Sequence, residues 1–117
     1  MSRTIAIIGL QKAKAKIQDL TDLRPAKKIV KKYTAKVQEK AQRKVPVITG
    51  TLKRSIMSAI SEDGRLGIVA ATAEYAEYVE YGTRYMDAKP FMRPSADEIW
   101  DDFQNELAEV VRDQARR

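Results

Sequence analysis

The sequence predicts an α+β fold with two N-terminal helices, a small mainly antiparallel sheet and a C-terminal helix packed on that sheet. Three observations lead there. Apolar residues recur at helical spacing over 25–44 and again over 95–111. Two strand-like runs, at 52–60 and 65–71, flank the turn-forming SEDG of 61–64. A length of 117 residues suits one domain with a modest core. Within that single domain, 1–44 reads as a basic strand-helix-helix region, 45–94 as the sheet with its loops, and 95–117 as the closing helix.

From the N-terminus, Ile5, Ile7 and Ile8 form a short strand ended by Gly9. Leu10, Ala13, Ile17 and Leu20 then repeat at helical spacing, while Lys12, Lys14 and Lys16 fall off that face. Residues 21–24 break the pattern. Pro25 suits the first turn of a second helix, where a backbone N–H would have no partner anyway. On that helix Ala26, Ile29, Val30, Tyr33, Val37 and Ala41 make one apolar face, and Lys27, Lys28, Lys31, Lys32, Lys36, Lys40 and Lys44 fill much of the remainder. Pro46 stops it. After a tight turn at Thr49 and Gly50, residues 52–60 and 65–71 make an antiparallel hairpin. The second of these, RLGIVAA, is apolar on both faces and is expected in the middle of the sheet.

Residues 73–81 fit either helix or strand. The helical reading sorts the side chains better, with Tyr75, Ala76, Tyr78 and Val79 on one side, Glu74, Glu77 and Glu80 on the other, and Gly82 as terminator. Beyond Pro94, Ser95 is placed to cap a last helix whose inner face is Ile99, Trp100, Phe103, Leu107, Val110 and Val111. Asp97, Glu98, Asp101 and Asp102 stand in its first turns, where negative charge complements the helix dipole.

Composition narrows the chemistry. The chain has no cysteine, hence no disulfide framework and no thiolate nucleophile. It has no histidine, which removes the usual general base, the commonest metal ligand and the usual partner of a nucleophilic serine. The apolar run IAII at 5–8 is too short for a signal-peptide core or a membrane span, so a soluble protein with no such export signal is expected. Charge is uneven: residues 1–60 hold 15 Lys and Arg against 3 Asp and Glu, whereas residues 61–117 hold 7 against 13. A basic half suits nucleic acid. A basic half joined to an acidic half suits equally the meeting of copies or stacked partners through opposite faces.

Three segments carry more specific information: VPVITGTLKRSI at 45–56, YAEYVEYGT at 75–83 and KPFMRP at 89–94. In this order they resemble a family of small tailed-phage virion proteins, the head-tail joining and tail-component proteins found between portal and tail. The first segment matches through Pro46, Thr49, Gly50, Leu52, Ser55 and Ile56, and departs at Ile48, where an aspartate is usual. The second, through Tyr75, Ala76, Tyr78, Val79, Glu80, Tyr81, Gly82 and Thr83, is similar to the family's corresponding run, and the third matches through Pro90, Phe91, Met92, Arg93 and Pro94. The resemblance implies an α+β subunit, made in the host bacterial cytoplasm, that joins a ring in the virion neck or upper tail. Six or twelve subunits are the numbers it suggests. Neighbouring connector, stopper or tail-tube proteins would be its partners. DNA would pass through the channel without sequence-specific binding. No membrane, cofactor or catalysis is implied.

Residue roles follow from both readings. Tyr75, Tyr78, Glu80, Tyr81, Phe91 and Arg93 are assigned to a subunit contact, although three tyrosines also suit a stacking platform for bases. Arg93 admits two roles, pairing with a carboxylate of the second segment or plain solvation. Lys28, Lys31, Lys32 and Lys36 are assigned to an electrostatic contact. Pro46, Thr49, Gly50, Gly82, Pro90 and Pro94 shape the turns, with Gly50 and Gly82 supplying backbone angles that other residues adopt at a cost. Asp97, Glu98, Asp101, Asp102 and Glu106 could in principle hold a divalent ion, as in a metal nuclease, but read more simply as a solvated helix face. No metal, cofactor or catalytic residue is therefore assigned. The expected function is structural, as part of a head-tail connector, neck or tail-completion ring. Its alternative is sequence-independent DNA binding by the lysine-rich helices.

Overall fold

Strands β1 (Thr4–Gly9), β2 (Ile56–Ile60) and β3 (Leu66–Ala71) contain no charged residue, and they pair into one sheet of order β1-β3-β2 with both pairings antiparallel. A computed structural model of the chain describes residues 4–10, 20–46 and 50–116. The expected hairpin is present. The Ser61 N–H donates to the Leu66 carbonyl at 2.8 Å, and Gly64 turns the chain at φ +74°.

Helix α1 (Arg24–Lys44) covers one face of the sheet through Ala26, Ile29, Val30, Tyr33, Thr34, Val37 and Ala41. Pro25 lies in its first turn, and the chain leaves it at Val45 in an extended conformation just before Pro46. The helix approaches β3 so closely that a Cβ at Gly67 would stand 1.8 Å from Thr34 Oγ1. Only glycine fits there. Helix α4 (Met92–Ala115) packs against α1 and along β1, inserting Ile99, Phe103 and Leu107. Phe103 is fully buried, meets Tyr33 edge-on at 5.9 Å between ring centres, and is stacked by Trp100 at 5.5 Å. At the far end of α4, the Gln114 carboxamide accepts the N–H groups of Thr21 and Asp22 and donates to the Asp22 carbonyl, tying the segment before α1 to the last turns.

Several expectations are corrected. The run beginning at residue 52 is not strand from its start. Gly50 at φ +75° leads into a single helical turn, α2 (Thr51–Arg54), and extended structure begins only at Ile56. Leu52 and Ile56 are four apart, so a helical turn brings both into the core, and Ser55 closes it by donating its hydroxyl to the Leu52 carbonyl at 2.7 Å. β3 is central as expected, yet it is not covered on both faces. Its second face carries Ile68, which remains exposed beside Ile5, Ile7 and Met57 of the flanking strands, because both long helices lie on the opposite side. The last helix starts at Met92 and not after Ser95, so Pro94 sits inside its first turn, no acidic residue does, and Ser95 is buried with its hydroxyl on the Phe91 carbonyl. The first of the two expected N-terminal helices, with Lys12, Lys14 and Lys16, lies outside the described residues, as do Ile48 and Thr49.

Candidate assembly surface

Helix α3 (Ala76–Tyr81) presents its tyrosines outward and buries a carboxylate. Tyr75, Tyr78 and Tyr81 are all exposed, Tyr81 to 70% of its surface, whereas Glu80 is only 3% exposed. The regular spacing of Glu74, Glu77 and Glu80 hides this difference. Glu80 lies two residues before the chain turns away at Gly82, on the side facing α4.

The task of Glu80 is readable from helix geometry. The first four N–H groups of an α-helix have no partner within it. For α4 these belong to Phe91, Met92, Arg93 and Pro94. Glu80 accepts the N–H of Phe91 at 3.0 Å and of Met92 at 2.8 Å on Oε1, and that of Arg93 at 3.1 Å on Oε2. Pro94 has no N–H to satisfy. All four positions are thus accounted for, and an acidic group stands at the positive end of a 24-residue helix. The negative charge expected at this terminus from Asp97 and Glu98 comes instead from another helix.

This latch fixes the loop between α3 and α4. Gly82 has φ +76°, and a Cβ on it would stand 2.8 Å from the Ala88 nitrogen and 2.9 Å from the Met86 carbonyl oxygen. The Thr83 N–H donates to Met86 O at 2.8 Å, the Tyr85 N–H to Thr83 Oγ1 at 3.1 Å, and the Lys89 N–H to Val79 O at 2.8 Å. Residues 83–90 are exposed throughout, and Tyr85 at the tip is 88% exposed. Sequence reasoning passed over Tyr85 and Met86. Their signal was an aromatic and a methionine between two turn-forming segments, flanked by charge on both sides.

Two residues assigned to a subunit contact are corrected. Phe91 is fully buried in the core and Glu80 is engaged as described, so neither is available on the surface of this subunit. Arg93 reaches the second segment through its backbone only, while its side chain is exposed and 3.9 Å from Asp97 on its own helix. Tyr75, Tyr78 and Tyr81 stand free on the surface.

The lysine face is also divided. Lys32 meets Glu106 at 3.0 Å, and Lys40 and Lys44 meet Glu98 at 3.2 and 2.8 Å, so basic and acidic helices face each other within the subunit. Lys32 is thus engaged within the subunit while its side chain stays half-exposed. The two lysines hold the Glu98 carboxyl below the usual carboxylate range, Lys44 foremost. Tyr33 donates its hydroxyl to Glu106, which, with help from Lys32, lowers that carboxyl also. Burial first and Glu106 second push Tyr33 up to about 12. Lys36 lies over the Tyr33 ring at 5.1 Å, while Lys28 and Lys31 point to solvent with no ion pair among the described residues. Among the described residues no acidic side chains converge in a way that would hold a metal ion, and no helix is long and apolar enough to cross a membrane.

A family model described as "Bacteriophage HK97-gp10, putative tail-component" matches residues 9–82, more than half of the chain. The chain belongs to this HK97-gp10-like family. It is accordingly a phage tail-component protein, in agreement with the family resemblance, of whose three segments the match takes in the first and nearly all of the second. The family match ends at Gly82, so it includes Glu80 but not the helix terminus that Glu80 closes. No curated protein and no solved structure matches the chain.

Proposed function

We propose that the protein is a ring-forming subunit of the connector, neck or tail-completion region of a tailed phage, acting mechanically as a collar onto which the tail is fastened and through which DNA passes. The observation that carries this reading is the aromatic side of the molecule. Tyr75, Tyr78, Tyr81 and Tyr85 are exposed on a helix and loop that the Glu80 latch holds in place. Exposed aromatic residues on a preorganised scaffold are the anchors that protein interfaces use, since little ordering entropy is lost when a partner covers them. Family membership supports a virion role, and closed cyclic symmetry is the common outcome when head-to-tail contacts close on themselves.

The DNA-binding alternative has less to rest on. Lys32, Lys40 and Lys44 are directed at carboxylates of α4, which leaves chiefly Lys28 and Lys31 of α1 turned to solvent. Electron micrographs of the purified protein, with the mass measured by light scattering, test the proposal. Closed rings are the expected result. A monomer at every concentration that also shifted DNA in low salt would replace it with the alternative.

A further inference from the structure

The outer edge of β1 and the first turns of α4 do not close on each other. Between them run two adjoining hollows of about 260 and 250 Å³ that share Ile7 and Ala96, so they form one trough along the strand. Its walls are Ile5, Ile7 and Ala96, with Trp100 at one end. β1 is an edge strand, and neither it nor the neighbouring sheet surface bears a charge. The rim on the α4 side is acidic. Asp97 lines it and Asp101 follows one turn on, with Arg93 the opposing charge at the start of the helix, while Glu98 is turned away to Lys40 and Lys44 of α1.

The α3–α4 loop has the complementary features. Tyr85 projects from its tip with Arg84 beside it, the guanidinium 6.0 Å from the centre of the Tyr85 ring. A tyrosine has an apolar body for the isoleucine wall and a hydroxyl that can keep its contact with water. An arginine next to it suits an acidic rim. The Glu80 latch and the Gly82 turn hold both in place before any partner is met.

We infer that the β1–α4 trough is the receptor for the loop of a second copy of this chain, with Tyr85 entering between Ile5, Ile7 and Ala96 and Arg84 reaching Asp97. The inference rests on the ring reading above and deepens it, because it assigns the two faces of each subunit contact. One chain carries both knob and trough, so the contact is head-to-tail and propagates around a ring. The charge pairing fixes which way the loop enters, and the tyrosine supplies the part that salt does not screen.

The absence of cysteine makes a clean test possible. Tyr85→Cys and Ala96→Cys introduce thiols at an exposed tip and at a small wall residue, and neither change removes a large core side chain. Mixed under oxidising conditions, the two single variants should cross-link to each other, and the double variant should give a ladder ending in a closed ring. Tyr85→Cys mixed with Lys28→Cys should stay unlinked. Separately, Arg84→Glu should weaken assembly a few-fold at low salt and regain it in the Asp97→Lys background. If the parent forms rings but the Tyr85 and Ala96 thiols never meet and the charge swap restores nothing, the trough is not the receptor while the ring reading stands. If the parent is monomeric at every concentration, both readings fall.

Discussion

The two sides of this small subunit handle charge in opposite ways. Along the α1–α4 seam, lysines and carboxylates meet each other across two helices, half-exposed, over a core of Tyr33, Phe103 and Leu107. On the α3 side a single carboxylate is buried and bonded to backbone, and the surface is left to tyrosines. The first arrangement completes the subunit within itself. The second makes a frame whose outer surface carries exposed tyrosines, which favours the α3 side for the proposed assembly contact.

The largest effect should follow from breaking the latch. In Glu80→Ala three backbone donors lose a charged acceptor, at least two of them buried, and a cost of about 4 kcal/mol is expected on charge-assisted hydrogen-bond values reduced for partial access of water. Glu80→Gln keeps one oxygen for Phe91 and Met92 and should lose roughly half as much. Urea titration followed by circular dichroism reads both. Equal stability of Glu80→Ala and parent would show that the loop is not held by this contact.

The core under the seam comes next. Phe103→Ala should cost about 3 kcal/mol through the cavity it leaves, whereas Asp102→Ala, on the exposed side of the same helix, should be nearly silent. If the two variants unfolded at the same urea concentration, the inward face of α4 would be misassigned.

Smaller effects are expected from the charges of the seam. Tyr33 has a folded pKa raised to about 12, above its unfolded value of roughly 10, so it binds its proton more tightly when folded. The stability this contributes is fully present below pH of about 10 and is lost as pH rises toward 12. Glu106 has a depressed folded pKa, so its contribution is present above the ordinary glutamate range and is lost as pH falls through the folded value. Tyr33→Phe should therefore flatten the alkaline limb of a stability-against-pH curve and soften the acid limb. Lys32→Ala removes only a half-exposed pair and should cost less than about 1 kcal/mol. Chemical denaturation across pH separates these cases, and an unchanged alkaline limb in Tyr33→Phe would contradict the assignment.

How far the sequence could be read differs between the same two sides. The long helices announced themselves because a buried face repeats every turn, as Val30, Val37, Phe103 and Leu107 do. The hairpin was legible in SEDG, and the central place of β3 in its unbroken apolar run. Features built from contacts distant in sequence were not legible. Helix α4 gains its cap from Glu80, eleven positions before Phe91, so local rules pointed to Ser95 and placed the start four residues late. The single turn of α2 is too short for period to distinguish it from strand. Phe91 looked like an interface aromatic, since sequence alone does not say which of several aromatics in adjoining segments turns inward. The pairing of Lys32, Lys40 and Lys44 with α4 was foreshadowed by the opposite charge of the two halves, but whether opposite faces meet within one copy or between copies is decided by packing.

Sedimentation velocity across a salt series tests the contrast between the two sides most directly, applied to the parent, to Tyr78→Ala and to the Lys28→Glu, Lys31→Glu double variant, with circular dichroism confirming the fold of each. Tyr78→Ala should weaken assembly at every salt concentration, because aromatic burial is not screened, and the lysine variant should weaken it only at low salt and to a smaller extent. Assembly of Tyr78→Ala indistinguishable from the parent, or loss of assembly in the lysine variant alone, would place the contact on the helical seam and contradict the account.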